Sequence, residues 1–121
     1  MIQKGFENLI AWQKARAVNK MTYELGQTST SKRETVLEKQ LRRTAVSISS
    51  NIAEGCGRRS KKEFIRFSDI AKGSCNELKS QLYLAVDVNH ITQEEFEETF
   101  ALTDEVSKAI FGLMKHLGKT K

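Results

Sequence analysis

The sequence predicts an all-α protein, an antiparallel up-down-up-down four-helix bundle that assembles with copies of itself. Three observations lead to this prediction. The 121 residues include no proline, apolar residues recur at three- and four-residue steps in four segments, and the ten residues from Thr44 to Ala53 carry no charge. A surface helix of a small bundle normally presents charged residues to water on every turn, so the uncharged run indicates a covered surface.

The chain has the length of one domain, which we place at residues 1–121. The periodic segments predict helices at about 6–25, 32–54, 61–89 and 93–117. Connections of a few residues between long helices make sequential neighbours antiparallel.

The first predicted helix carries two apolar stripes. We expect the core stripe to consist of Phe6, Leu9, Ile10, Ala17, Met21 and Leu25. A second stripe beside it contains Trp12, Ala15, Asn19 and Tyr23. Gly26 is expected to end the helix.

The same capping pattern precedes the other three helices. Ser31 is followed by Glu34, Ser60 by Glu63 and Thr92 by Glu95. In this spacing the hydroxyl and the carboxylate satisfy free backbone amides at a helix start.

The second predicted helix has an apolar and a polar face. Its core face contains Leu37, Leu41, Ala45, Ile48 and Ile52. The polar face contains Arg43, Ser47, Ser50, Asn51 and Glu54. A solvated face is one interpretation, but such faces usually carry long charged side chains, and the middle positions here are small and uncharged. We therefore predict a contact between subunits.

The third predicted helix repeats Phe64, Phe67, Ala71, Ser74, Leu78, Gln81, Ala85 and Val88 in a coiled-coil-like pattern. Gly73 lies inside it, where glycine costs about 1 kcal/mol relative to alanine. Close packing would explain this glycine, so Gly73 and Ser74 join the predicted subunit contact. Glu77 joins them as an ion-pair partner for Arg42 or Arg43, and Glu54 is the other candidate. The fourth helix presents Phe96, Phe100, Val106, Ile110, Leu113 and Leu117 as its apolar stripe.

Positive charge is concentrated at the turn before the third helix. The formal net charge is +5, and Arg58, Arg59, Lys61 and Lys62 lie at this turn, with Arg66 one helical turn later. Backbone amides and the helix dipole already favour anions there, so nucleic-acid phosphates are the predicted ligand. A merely solvated turn is the alternative. The segment from Glu94 to Glu105 is acidic in contrast.

Enzyme motifs are absent from the sequence, and we predict no catalytic residue, metal or cofactor. There is no Gly-rich phosphate loop, HExxH or nucleophile elbow. Cys56 and Cys75 form no CxxC pair, and neither His90 nor His116 lies near them in sequence. With no signal peptide or membrane-spanning run recognised, we expect a reduced cytoplasmic protein with free thiols.

Several segments together resemble the bacterial 23S rRNA-intervening-sequence protein family. They are 40–48, 50–55, 58–60, Phe64, Phe67, 70–74, Glu77, Leu78, Gln81 and Leu82, with Phe6, Leu9, Trp12, Ala15 and Tyr23 in the first helix. Thr30-Ser31 stands where many members have a proline. The resemblance implies a four-helix bundle in a ring-like homopentamer. It also implies kinship with the accessory variability proteins of diversity-generating retroelements, basic pentamers that bind nucleic acid and a reverse transcriptase.

The sequence therefore predicts a non-enzymatic homo-oligomer that binds nucleic acid, with structured RNA such as rRNA as the expected partner. The expected contacts are Arg58, Arg59, Lys61, Lys62 and Arg66. The alternative is an oligomeric scaffold whose partner is another protein, bound at the acidic fourth helix or the ring face. No membrane partner is expected.

Overall fold

The computed structural model describes residues 5–27 and 35–119, which form four α-helices and one 3₁₀ turn, with no strand among them. The turn spans Phe6–Asn8, and the helices are α1 (Ile10–Glu24), α2 (Thr35–Cys56), α3 (Lys61–Asp87) and α4 (Gln93–Lys119). The predicted start of the second helix at residue 32, the Ser31–Glu34 cap and the Thr30-Ser31 departure lie outside the described residues.

The first helix begins later than the sequence predicts. Leu9 is extended, with φ −78° and ψ 127°, and it separates the 3₁₀ turn from α1. The Phe6 ring packs on the Trp12 ring with their centroids 4.9 Å apart, and the Gln13 side chain donates to the carbonyl of Glu7 at 2.9 Å. These contacts fold the turn back onto α1, which explains why the helix is not continuous from residue 6.

The predicted core stripe of this helix was wrong in part: Leu25 is buried and Leu9 packs against the core, but two other members are exposed. Ile10 is 64% exposed and Ala17 is exposed. The buried positions on α1 are Ala11, Ala15, Val18 and Thr22. These small residues recur at alternating four- and three-residue steps, so they allow α1 to lie close to its neighbours.

The two described caps explain where α3 and α4 begin. Ser60 Oγ accepts a hydrogen bond from the Glu63 amide at 3.0 Å. At Thr92 the exchange is reciprocal: the Glu95 amide donates to Thr92 Oγ1 at 3.0 Å, and the Thr92 amide donates to Glu95 Oε1 at 2.9 Å. Each pair satisfies backbone amides that a helix start leaves unbonded.

The core is built mainly from one face of each helix. On α2, the predicted positions Leu41, Ala45, Ile48 and Ile52 are all buried, and Leu37 packs at the edge of the core. On α3, Ala71, Leu78 and Ala85 are buried as predicted, whereas Val88 is exposed. Cys75 and Leu82 of α3 and Thr99 and Thr103 of α4 are further buried residues that the predicted stripes omit.

Each helix packs against two others, so the four form a bundle. Helix α1 contacts α2 and α4, and α3 contacts the same two helices. Representative contacts are Tyr23 with Arg42, Ser47 with Ser74, Tyr83 with Phe96 and Lys14 with Glu105.

Gly26, which follows α1, packs against His90, which lies in the connection between α3 and α4. Gly26 has φ +79°, and a Cβ at this position would lie 2.9 Å from the His90 ring. Glycine is therefore required both by the backbone conformation and by the packed imidazole. No helix in residues 5–27 and 35–119 is long and apolar enough to cross a membrane.

Candidate nucleic-acid interface

The predicted basic residues lie at the connection between α2 and α3. Helix α2 ends at Cys56 and α3 begins at Lys61, so only four residues join them. The amide of Gly57 bonds the carbonyls of Ala53 and Glu54 at 3.1 and 3.2 Å, which closes the end of α2. The turn is therefore short and well bonded, and its side chains point outward.

All five predicted ligand residues are exposed: Arg58, Arg59, Lys61, Lys62 and Arg66. They occupy the turn and the first two turns of α3, so the structure brings them to one end of the bundle. The backbone amides at the start of α3 add positive potential to the same place.

Two of these arginines are held by the ring of Phe67. The guanidinium of Arg58 lies 4.9 Å from the ring centroid, and that of Arg66 lies 4.5 Å from it. Arg58 also pairs with Glu54 at 2.7 Å, and Arg66 pairs with Glu63 at 3.1 Å. The hydrogen bond from Arg66 lowers the pKa of the Glu63 carboxyl. Both arginines are thus positioned and partly neutralised.

The other three basic side chains have no such partners. Within the described ranges, the side chains of Arg59, Lys61 and Lys62 form no ion pair or hydrogen bond. Five positive charges therefore face two carboxylates, and the excess belongs to these three residues. Their charge remains available to an anionic ligand.

The predicted subunit contact divides according to exposure. Arg43, Ser50, Glu54, Gly73 and Glu77 are exposed, and Ser47 and Asn51 are half-buried. Ser74 is only 8% exposed, and its hydroxyl lies 2.9 Å from that of Ser47. Ser74 therefore bonds within the chain, and the exposed five are the members that a second copy would reach.

Among the described residues, none packs closely on Gly73. A Cβ placed there would meet nothing within 4 Å. The close helix contact predicted for this glycine is therefore not made by the described part of the chain.

Within one chain, the arginines and glutamates for which ion pairs in the assembly are predicted have other partners or none among the described residues. Arg42 pairs with Glu38 at 3.7 Å, donates to the carbonyl of Tyr23 at 3.0 Å and stacks on the Tyr23 ring at 4.0 Å. Glu54 pairs with Arg58. Arg43 and Glu77 form no ion pair with described residues.

The thiols are unsuited to nucleophilic chemistry near neutral pH. Burial raises the pKa of Cys75 to about 12, and burial together with the charge of Glu7 raises the pKa of Cys56. The thiolate is the reactive form, so both cysteines are mainly protonated and poorly reactive at pH 7. Over the same described residues, no group of three His, Cys, Asp or Glu side chains could hold a metal ion.

A second basic surface, which the sequence analysis missed, lies between α3 and α4. Phe111 is 53% exposed and lines a groove of about 350 Å³ with Lys72, Ser107 and Lys108. Lys115 Nζ lies 5.7 Å from the Phe111 ring centroid. The sequence signal was an aromatic residue outside the apolar stripe of its helix and flanked by lysines.

The fold and this interface define a small all-helical protein with a strongly basic turn. The chain belongs to the 23S rRNA-intervening sequence protein family, whose model matches residues 7–112. Among solved structures it is similar to a protein of unknown function from the S23 ribosomal protein family of Bacteroides thetaiotaomicron VPI-5482. The two share 26% identity with a TM-score of 0.72, over 88% of this chain and 99% of the other. Comparison with curated proteins finds no match.

Proposed function

We propose that this protein is a non-enzymatic homo-oligomer that binds structured RNA through the basic turn. The proposed contacts are Arg58, Arg59, Lys61, Lys62 and Arg66. The observation that carries the proposal is the uncompensated charge of Arg59, Lys61 and Lys62 beside the start of α3. The 23S rRNA-intervening sequences in the family's name make rRNA the first ligand to test.

The electrostatics of the turn favour phosphate over other ligands. Lysine and arginine that neutralise phosphates release counterions, which drives binding without reading a base sequence. The amides and dipole of α3 act in the same direction. The ring of Phe67 orients Arg58 and Arg66, which lowers the entropy lost when they contact a ligand.

We further propose an up-down-up-down topology and a ring-like assembly of five chains. The contacts between neighbouring helices support the topology, because residues early in one helix contact residues late in the next, as antiparallel helices do. On α1 and α2, for example, Asn19 contacts Ser49 and Tyr23 contacts Arg42.

Exposed apolar residues on α3 support the assembly. Ile70 and Leu84 are exposed and lie on the same side of α3 as Gly73 and Glu77, within about 60° of arc at 100° per residue. Val88, the residue after α3, is also exposed. An exposed stripe of this kind on a small domain commonly marks a contact surface. A second copy of the chain would cover it.

RNA binding is tested by fluorescence anisotropy with fragments of 23S rRNA. We expect binding that weakens with added salt. The slope of log binding constant against log salt concentration should be nearly one per phosphate contacted. Reversing Arg59, Lys61 and Lys62 to glutamate should abolish it. Reversal of Lys20 and Lys39, exposed on α1 and α2, is the control. Absence of binding at low salt, or equal binding by both variants, would reject the proposal.

Assembly is tested by light scattering after gel filtration. We expect a mass near five times the 13.7 kDa of one chain. A monomer at micromolar concentration would contradict the ring. A mass that corresponds to another number of subunits would support an oligomer but reject the pentamer.

The competing function is a scaffold for a protein partner. It is favoured by the acidic start of α4, where Glu94, Glu97 and Glu98 are exposed. Affinity purification with and without nuclease separates the two functions. A partner protein that survives nuclease and is lost when these glutamates become lysine would favour the scaffold.

A further inference from the structure

We propose that the surface between α3 and α4 is a track for single-stranded nucleic acid, with Phe111 as a platform on which an unpaired base stacks. We name this surface, formed by Lys72, Lys108, Phe111 and Lys115, the Phe111 track. The inference rests on the proposed nucleic-acid function and adds a second site and a ligand class to it.

Phe111 differs from the other exposed aromatic residues, Tyr23 and Tyr83, in the side chains that pack on its ring. Tyr23 is covered by Arg42 at 4.0 Å, and Tyr83 packs on Phe96 and Phe100 with centroids 4.9 and 5.7 Å apart. Among the described residues no other aromatic ring packs against Phe111. Lys115 Nζ lies over the ring, 5.7 Å from its centroid, but Phe111 is 53% exposed, so part of the ring remains accessible to a ligand.

Lysines surround this ring. Lys72 of α3 and Lys108 of α4 line the same groove as the ring. Lys115 lies one helical turn beyond, with its Nζ 5.7 Å from the ring. Lys108 shares Asp104 with Lys79, whereas Lys72 and Lys115 pair with no described carboxylate. An aromatic face among lysines matches the base and the phosphates of a nucleotide.

The Phe111 track leads to the basic turn. A second groove of about 300 Å³ between the same helices is lined by Lys61, Lys62, Ile65, Leu117 and Gly118. The step of ten residues from Lys62 to Lys72 corresponds to about 15 Å along α3. A strand held at Lys61 and Lys62 therefore needs to continue only a short distance to reach Phe111.

Stacking selects the ligand class. Bases in a duplex already stack on one another, so an exposed protein ring can accept only a base that is unpaired. The phosphates that accompany such a base would contact Lys72, Lys108 and Lys115. Loops and ends of an RNA, or a single strand, have this chemistry.

The test compares a single-stranded RNA of about 12 nucleotides without self-complementarity with the duplex of the same sequence. Binding is followed by anisotropy, and stacking by the emission of a 2-aminopurine placed within the strand. The variants are Phe111→Ala, Phe111→Leu and the triple replacement of Lys72, Lys108 and Lys115 by alanine. Val46→Ala, also 53% exposed at a distant position, and Lys39→Ala are the matched controls.

We expect Phe111→Ala to weaken single-strand binding roughly 5- to 150-fold, the range measured for base–aromatic contacts. Phe111→Leu should lose the quenching of 2-aminopurine, because leucine has no aromatic face. The triple variant should reduce the slope of log binding constant against log salt concentration by about 2, because each of three lost phosphate contacts contributes about 0.7 for single strands. Duplex binding and both controls should change little.

The outcomes separate this inference from the proposed function. If the wild type binds no RNA at low salt, both fail. If it binds through the basic turn but Phe111→Ala and the triple variant bind the single strand as well as Val46→Ala does, only the Phe111 track is rejected. Loss of oligomer mass in Phe111→Ala would identify the surface as a subunit contact and reject the track as well.

Discussion

The hydroxyl oxygens of Ser47 on α2 and Ser74 on α3 lie 2.9 Å apart. Asn51 Nδ2 donates to the same Ser47 hydroxyl at 3.2 Å and to the Ser47 carbonyl at 2.8 Å. Ser47 can therefore accept from Asn51 and still donate to Ser74. This polar link joins the two helices inside one chain, at the centre of the face for which the sequence predicts a subunit contact.

Ser74→Ala should lower the free energy of unfolding by about 1 kcal/mol, because a half-buried hydrogen bond is lost. A double-mutant cycle with Ser47→Ala should give a coupling of about 0.5 kcal/mol or more. Denaturant unfolding at a fixed protein concentration measures both. Ser80→Ala, at an exposed position of α3, is the control and should change stability by less than about 0.5 kcal/mol. Equal effects at Ser74 and Ser80 would contradict the link.

Gly55 allows α2 to approach the phenylalanines of α3. A Cβ at this position would lie 2.8 Å from Phe67 Cβ and 3.2 Å from the Phe64 carbonyl. Gly55→Ala should therefore destabilise the chain by about 1–3 kcal/mol through overpacking. It should also weaken RNA binding, because Phe67 positions Arg58 and Arg66.

Gly57→Ala is the matched control for Gly55. The nearest atom to its Cβ would be 3.6 Å away, an ordinary contact. Thermal unfolding compares the two variants, and a similar midpoint for both would show that α2 and α3 can separate without cost at this point.

The parts of the fold that could be predicted depend on local signals. The cap at Ser60 and the spacing of Leu41, Ala45, Ile48 and Ile52 lie within one segment each, so the sequence alone indicates them. In α1 the buried stripe is made of small residues, and Ile10 beside it is larger. A prediction that gives more weight to large apolar side chains therefore selects the wrong face of α1.

The same reasoning explains what could be predicted of the candidate sites. The basic turn is contiguous in sequence, and its residues are neighbours in the structure. The Phe111 track brings Lys72 together with residues about 40 positions later, which only the packing of α3 on α4 determines. The exposure of individual residues could not be predicted from the sequence either. Ser74 is buried, whereas Gly73, the residue before it, is exposed.

The two thiols should react at very different rates. Cys75 is fully buried with a pKa raised to about 12, whereas Cys56 is half-buried. Ellman's reagent at pH 8 should modify Cys56 slowly and Cys75 only after unfolding in guanidinium. A Cys56→Ser variant should show no reactive thiol in the native state. Rapid modification of that variant would indicate that the core opens frequently.

Burial of Cys75 also predicts a loss of stability at high pH. Its folded pKa of about 12 exceeds the ordinary value of 9.0, so the folded state holds the proton more tightly than the unfolded chain. The contribution is complete below pH 9 and is lost as pH rises from 9 towards 12. Between pH 8 and 10 the wild type should lose about 1 kcal/mol more than Cys75→Ala, measured by urea unfolding. Parallel losses in the two proteins would reject the prediction.

Gly73 and Gly112 form a matched pair that tests which helix face a second copy covers. Both are exposed glycines inside helices, and a Cβ on either would meet nothing within 4 Å. Without a partner, alanine at each should stabilise the helix by about 0.5–1 kcal/mol. With the α3 face covered by another chain, a larger side chain at position 73 would meet that chain.

Gly73→Gln should therefore lower the mass measured by light scattering while the helical circular dichroism is retained. Gly112→Gln on α4 should leave the mass unchanged, because the proposed contact lies on α2 and α3. If the two variants keep the same mass, the exposed stripe of Ile70, Gly73 and Leu84 is not the subunit contact. The cost of glycine at position 73 would then have no packing explanation in either the chain or its assembly.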